Sequence, residues 1–233
     1  MAESSSLICL SWNLAMLGRS QEAPPDWTQE HVEAAVRELL LEWSPDVVVL
    51  QELPGLVPYV ETHDMVRANP RSHSGNLATL LGNHLLDEEV SVDVVERCAL
   101  LVTFAERDLT IANVHLAPGG GAAGVRLAQL QAVLATAPTD HVLVLGDTNT
   151  RRAEEVALAA LGLGAPRPPE PTWDGRRNPF NGPSGEFVAY FTRALTAGAV
   201  NVTEQRVRPG RIEADGRSFH LSDHFALEVD VRR

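Results

Sequence analysis

The chain has 233 residues, of which 44% are hydrophobic and 21% charged, and its formal net charge is −12. That length supports one large core over residues 1–233 and requires no second domain, and the composition excludes a disordered or fibrous chain. The charge weighs against broad nonspecific binding of duplex nucleic acid, which depends on Lys and Arg displacing counterions; arginines in "RRNPF", "TRAL" and "RVRPGR" leave a local basic patch open.

The N-terminal "MAESSSLICLSW" lacks a basic start, and its apolar run is too short for a signal peptide. No stretch reaches the length of a membrane span, so a reducing, cytoplasmic setting is expected, and the protein is separately expected to be a monomer. "LICLSWNLA" reads as a buried strand. "TQEHVEAAVRELLLEW" carries Val32, Val36, Leu39, Leu40 and Trp43 at helical spacing, with Thr28 or Asp26 placed to cap it and Pro45 to close it. "DVVVLQE" is an apolar run of the kind found in strands covered on both faces. "NLATLLG", "EVSVDVV", "CALLVTF" and "LTIANVHL" follow as consecutive strands, separated by acidic or turn residues that suggest antiparallel hairpins. Cys9 and Cys98 both fall inside apolar strand-like runs and read as buried thiols, not as a disulfide framework.

After "APGGG" a helix fits "GVRLAQLQAVLAT", and "HVLVLGD" returns to a buried strand. "RRAEEVALAALGLG" is helical and stops at glycine. The Pro-rich "APRPPEPTWDGRRNPFNGPSG" is the longest irregular stretch, and loops of that length are usually functional or mobile. A last strand, "FALEV", begins with Asp223 and His224 side by side. The layout implies an α/β protein with two mixed sheets packed face to face and helices outside.

Polar residues stand at the ends of five of these strands: Asn13, Glu52, His115, Asp147 with Asn149, and Asp223 with His224. Singly, each has a plain structural explanation. Asp147-Thr148-Asn149 fits a turn whose side chains cap backbone amides, Glu52 a polar strand end, His115 a satisfied core histidine. As a set they are the residue types that bind one hard cation and cradle a phosphate. Mg²⁺ takes oxygen ligands, commonly one or two carboxylates plus water and substrate. Zinc is less well supported, because no His or Cys pair has a usual ligand spacing. Asp147 and Asn149, two apart on what reads as an extended segment, are expected to face the same side.

"SWNLA", "LQEL", "NVHLAP", "LGDTNT" and "LSDHF", in this order from Ser11 to Phe225, resemble the signature blocks of the endonuclease/exonuclease/phosphatase superfamily. "GDTNTR", "PTWDGRRN" and "EFVAYFTRAL" are further similar to its tyrosyl-DNA phosphodiesterase 2-like branch. The resemblance implies a DNase I-like fold, a four-layer α/β sandwich of two packed mixed β-sheets flanked by helices. It also implies Mg²⁺, or Mn²⁺ in its place, and hydrolysis of a phosphoester substrate, either a nucleic-acid end such as 5′-tyrosyl DNA or a small phosphodiester. By the same resemblance Glu52 is the principal metal ligand, Asp223 lies near the metal, and Asn13 holds the metal shell or the phosphate. Asp147 orients and deprotonates the attacking water. Asn149, His115 and His224 attend the phosphoryl group, and Trp173 and Arg177 contact substrate.

One block departs from the family pattern. Where a strand like "FDxxF" carries the aspartate that pairs with the active-site histidine, this chain has Val188. Asp174 or Asp215 is then expected to substitute, or His224 to work without such a partner. Two classes of function follow: a metal-dependent phosphodiesterase, and a catalytically weakened relative that binds a phosphorylated ligand or a protein partner without turnover.

Overall fold

The computed structural model describes residues 6–55, 60–66, 75–182 and 185–233. In chain order its elements are β1 (Leu7–Asn13), α1 (Gln29–Trp43), β2 (Val47–Leu53), β3 (His63–Val66), β4 (Asn76–Gly82), β5 (Val90–Val95), β6 (Ala99–Phe104) and β7 (Leu109–His115). Then come α2 (Ala123–Thr136), β8 (Val142–Asp147), α3 (Glu155–Ala160), β9 (Trp173–Asp174), β10 (Val188–Ala189) and β11 (Thr192–Ala197). β12 (Asn201–Arg208), β13 (Arg211–Ala214), β14 (Arg217–His220) and β15 (Ala226–Arg232) complete the chain.

Two large mixed sheets form, ordered β12-β15-β1-β2-β4-β3 and β11-β8-β7-β6-β5. Alternation along each strand decides which layer a side chain enters. Cys9, Val47, Val49, Leu227 and Val229 of the first sheet meet Val102, Ile111, Leu143 and Leu145 of the second in a shared core. Leu10, Trp12, Val48 and Leu50 point the other way and pack under Val32, Val36 and Leu40 of α1. On the far side, Leu130 and Val133 of α2 and Leu158 of α3 cover Leu101, Ala112, Val114 and Val144. The result is helix, sheet, sheet, helix: the four-layer sandwich. Strands buried on both faces need apolar residues at nearly every position, and that is why they were legible as continuous runs.

Parallel pairing fixes where the strands deliver their last residues. β1 runs parallel to β2, with Asn13 opposite Gln51, and β7 runs parallel to β8, with His115 opposite Asp147. β15 is antiparallel to β1, so the residues just before it return to the same end.

Three expectations are corrected. β4 and β5 do not form a hairpin: β4 belongs to the first sheet and β5 to the edge of the second, with a 3₁₀ turn at Asn83–Leu85 carrying the chain across. The helix expected over residues 151–164 is α3 alone, preceded by a 3₁₀ turn. The Pro-rich stretch is not wholly irregular, because β9 within it pairs with β10. Cys9 and Cys98 are free and buried, as expected. Burial pushes the Cys98 thiol up to about 11, and burial followed by the Asp46 and Asp230 charges pushes Cys9 higher still. Among the described residues no helix is long and apolar enough to cross a membrane.

One buried histidine is expected to make the fold acid-sensitive. His220 ends β14 and is 5% exposed, its Nδ1 has no partner among the described residues, and its ring lies 5.5 Å from that of Phe225. Burial, then the Arg211 and Arg177 charges, lower its pKa from 6.5 to about 4. The unfolded chain therefore takes up this proton before the folded chain does. The stability present above pH 6.5 is lost as pH falls toward about 4, with a full contribution on the order of 3 kcal/mol. Urea unfolding of wild type and His220→Phe across that window should show a shallower pH dependence in the variant; parallel curves would remove His220 as the source.

Candidate active site

The end of β2 is irregular. Its register with β4 shifts between Leu50 and Leu53, and Glu52 sits inside that bulge with φ 54°, a left-handed conformation that is rare for a residue with a side chain. The bulge turns the Glu52 carboxylate toward Asn13. Asn13 Nδ2 donates to Glu52 Oε1 at 3.1 Å and to Asp147 Oδ2 at 3.0 Å, so a single amide bridges the two sheets' carboxylates. His115 Nε2 lies 3.6 Å from each of the same two oxygens. The ligand atoms of Glu52, His115 and Asp147 all lie within 4.8 Å of one another.

Asp147 is held from several sides. Its Oδ1 accepts from the Asn149 amide at 3.1 Å, the turn that the sequence allowed. Extended structure ends at Asp147, and Asn149 takes φ 52°. The expectation of one extended segment carrying both side chains is thus corrected: the left-handed turn folds Asn149 back, and its Nδ2 donates to the Leu116 carbonyl at 3.2 Å. His224 Nε2 is 3.8 Å from Asp147 Oδ2.

The Ser-Asp-His block is tied down mainly by residues that sequence reasoning passed over. Ser222 Oγ donates to the Asn13 carbonyl at 2.6 Å and accepts from the His224 amide at 3.1 Å. Asn178 Nδ2 donates to the Ser222 carbonyl at 2.8 Å, and Trp12 Nε1 to the His224 carbonyl at 3.0 Å. The Trp12 ring in turn fits beneath Gly210, where a Cβ would come within 2.3 Å of it.

Arg126 is a further omission. Its guanidinium is fully buried, donates to both oxygens of Glu154 at 2.9 and 2.6 Å, and donates from Nη1 to the carbonyls of Ala117 and Gly119. It therefore clamps the loop after His115 to the turn after Asn149. The signal was present in α2: Arg126 shares one helix face with Leu130 and Val133, so an arginine interrupts an apolar stripe.

Other expected residues are placed differently. Asp223 stands outside the group of three ligand residues, with Oδ2 accepting from Asn181 Nδ2 at 3.0 Å. Asn13 Oδ1 accepts from the Ala15 amide at 3.0 Å, while its Nδ2 bridges the Glu52 and Asp147 carboxylates. Trp173 joins a lane of rings, 5.3 Å from Phe187 and 6.3 Å from Phe191, and Phe191 lies 6.1 Å from His224. Arg177 is exposed, pairs with Glu170 and lies over the Phe225 ring. Neither proposed stand-in reaches His224. Asp174 Oδ1 accepts from Arg176 N and Nε, and Asp215 occupies the turn between β13 and β14. His224 Nδ1 is buried without a partner among the described residues.

The endonuclease/exonuclease/phosphatase family matches residues 10–224. The chain belongs to that family. Endonuclease/exonuclease/phosphatase members are metal-dependent phosphoesterases as a class, and the paired carboxylates at the strand ends suit that chemistry. Among solved structures of similar fold is D. rerio TDP2 in complex with a single-stranded DNA product, at TM-score 0.74 and 21% identity, covering 98% of this chain and 100% of that one. TDP2 from C. elegans aligns at TM-score 0.71 and 17% identity over 98% of this chain and 75% of that one. The human Nocturnin catalytic domain with bound sulfate aligns at TM-score 0.61 and 18% identity, over 97% and 93% of the two chains. No curated protein matches the sequence.

Proposed function

We propose that this family member is a divalent-metal-dependent phosphodiesterase that uses Mg²⁺, or Mn²⁺ in its place, to hydrolyse a nucleic-acid end or a small phosphodiester by direct attack of water. The observation that supports this most is the convergence of Glu52, His115 and Asp147 around the Asn13 amide. Two carboxylates so close, bridged by a neutral amide and flanked by the His115 imidazole, favour a hard dication. Glu52 would hold it, and the bound ion would supply charge neutralisation at a phosphoryl oxygen.

The chain's own residues do the rest. Asp147 orients a water and takes its proton as the oxygen attacks phosphorus. His224 donates from Nε2 to a phosphoryl oxygen, and His115 and Asn149 offer further donors where negative charge builds. Trp173 presents a ring to the departing part of the substrate. The same reading takes residues 1–233 as one monomeric, cytoplasmic unit, in keeping with two unpaired buried thiols.

Calorimetric titration tests the metal assignment. Mg²⁺ or Mn²⁺ should bind wild type and fail to bind Glu52→Ala, which should also lose metal-dependent hydrolysis of bis(p-nitrophenyl) phosphate. Unchanged cation binding in the variant would remove Glu52 as the principal ligand.

The unpartnered Nδ1 of His224 favours a second reading, a weakened member that binds a phosphodiester without turning it over. Without an acceptor on Nδ1 the ring lacks the group that would fix its tautomer. Under this reading the protein binds the ester in EDTA and releases no product when either cation is added.

A further inference from the structure

A cavity of about 220 Å³ lies beside the candidate active site and is lined by Arg151, Arg152, Arg167 and Arg193 together with Glu155 and Tyr190. Four arginines against one glutamate give a local charge of +3 in a chain whose net charge is −12. Glu155 is already shared, accepting from Arg193 Nη1 at 2.9 Å and pairing with Arg167 at 3.4 Å. Among the described residues no carboxylate forms an ion pair with the Arg151 or Arg152 guanidinium.

Two of these arginines carry buried N–H groups without an acceptor among the described residues. Arg193 is 2% exposed, and its Nε has no hydrogen-bond partner among the described residues; Arg151 Nη1 is likewise buried without one. A buried guanidinium N–H without an acceptor is costly, so these groups add uncompensated positive character to the wall, and an oxyanion in the cavity takes charge-assisted bonds from the exposed Arg152 and Arg167. The arginine fork matches a phosphate better than a compact cation or a neutral group would. The cavity adjoins the active site through Thr150 and Arg151, which follow Asn149, and through Phe191. The Phe191 ring carries the Arg151 guanidinium 4.1 Å from its centroid on one side and lies 6.1 Å from the His224 ring on the other.

We propose that this arginine-lined cavity is an anion subsite that holds a second phosphate of the substrate. Resting on the phosphodiesterase reading, this narrows the substrate class to esters that carry a phosphate besides the one attacked, as a nucleotide within a strand or a nucleoside bisphosphate does. Phe187 and Tyr190 line the same cavity and offer ring faces to the moiety that joins the two phosphates.

The test compares the p-nitrophenyl ester of thymidine 5′-phosphate with the same ester carrying a 3′-phosphate, using wild type and Arg152→Gln/Arg167→Gln. Both substituted arginines are exposed, so the double variant should fold. In wild type the 3′-phosphate should lower KM about tenfold, the worth of one charge-assisted pair. The double variant should lose that advantage and keep its kcat on the ester lacking it. Equal KM values for the two esters in wild type would overturn the subsite. If neither ester is hydrolysed, the phosphodiesterase reading fails separately, and thymidine 3′,5′-bisphosphate binding in EDTA decides: binding by wild type but not by the double variant supports the subsite, and no binding by wild type overturns it. Inorganic phosphate that binds while the 3′-phosphate leaves KM unchanged marks a free-anion site and also overturns the proposal.

Discussion

Asp147→Asn should lower turnover by about 10³-fold while the cation still binds at Glu52. The substitution keeps shape and removes the proton acceptor. It also has a structural consequence that the geometry makes explicit. Asp147 accepts on both oxygens, from the Asn149 amide at 3.1 Å and from Asn13 Nδ2 at 3.0 Å. An asparagine can satisfy only one of these donors with its oxygen and turns an N–H₂ toward the other. A loss of about 1–3 kcal/mol in stability should accompany the kinetic effect, so unfolding and turnover must be measured on the same preparation. A folded variant with near wild-type turnover would rule out Asp147 as the base.

The second large effect is on the fold. Gly146→Ala should destabilise the protein by about 4 kcal/mol or more, the range reserved for severe overpacking. Gly146 has φ 156° and pairs with Val114 of β7; a Cβ there would lie 2.1 Å from the Val114 carbonyl oxygen and 2.8 Å from its nitrogen. The obstacle is backbone, which cannot rotate away as a side chain can. Relief requires β7 and β8 to part at the point where they place His115 and Asp147. Gly124→Ala is the matched control: it lies in α2 with nothing within 4 Å of an added Cβ, and removing a helical glycine there should stabilise the protein by about 0.5–1 kcal/mol. Equal unfolding midpoints for Gly146→Ala and wild type would overturn the reading of this glycine.

How legible each part was depended on where its partners lie along the chain. β1, β2, β6, β7 and β8 are buried on both faces, so each wrote a continuous apolar run that could be read locally. β12 could not be read that way: it is a largely polar strand whose Arg206 and Arg208 reach the buried Glu228 of β15, 22 and 20 residues onward. The strand-end carboxylates and imidazoles were visible because apolar runs set them off. Their supports were not, since Arg126 finds Glu154 at a distance of 28 residues and Asn178 finds Ser222 at 44. Asn149 was misjudged for a related reason: a left-handed turn is a backbone choice, and an asparagine two residues after a strand fits either geometry.

The bulge that carries Glu52 sets two kinds of selection against each other. A glutamate at φ 54° works against the fold by about 1–2 kcal/mol relative to an unstrained residue. Glycine would adopt the same angle freely, so Glu52→Gly is the exchange that a search for heat resistance would reward, and it deletes the carboxylate proposed to hold the metal. A library screened for thermal survival alone would drift toward stable, inert proteins at this position, whereas one screened for hydrolysis would retain the strain.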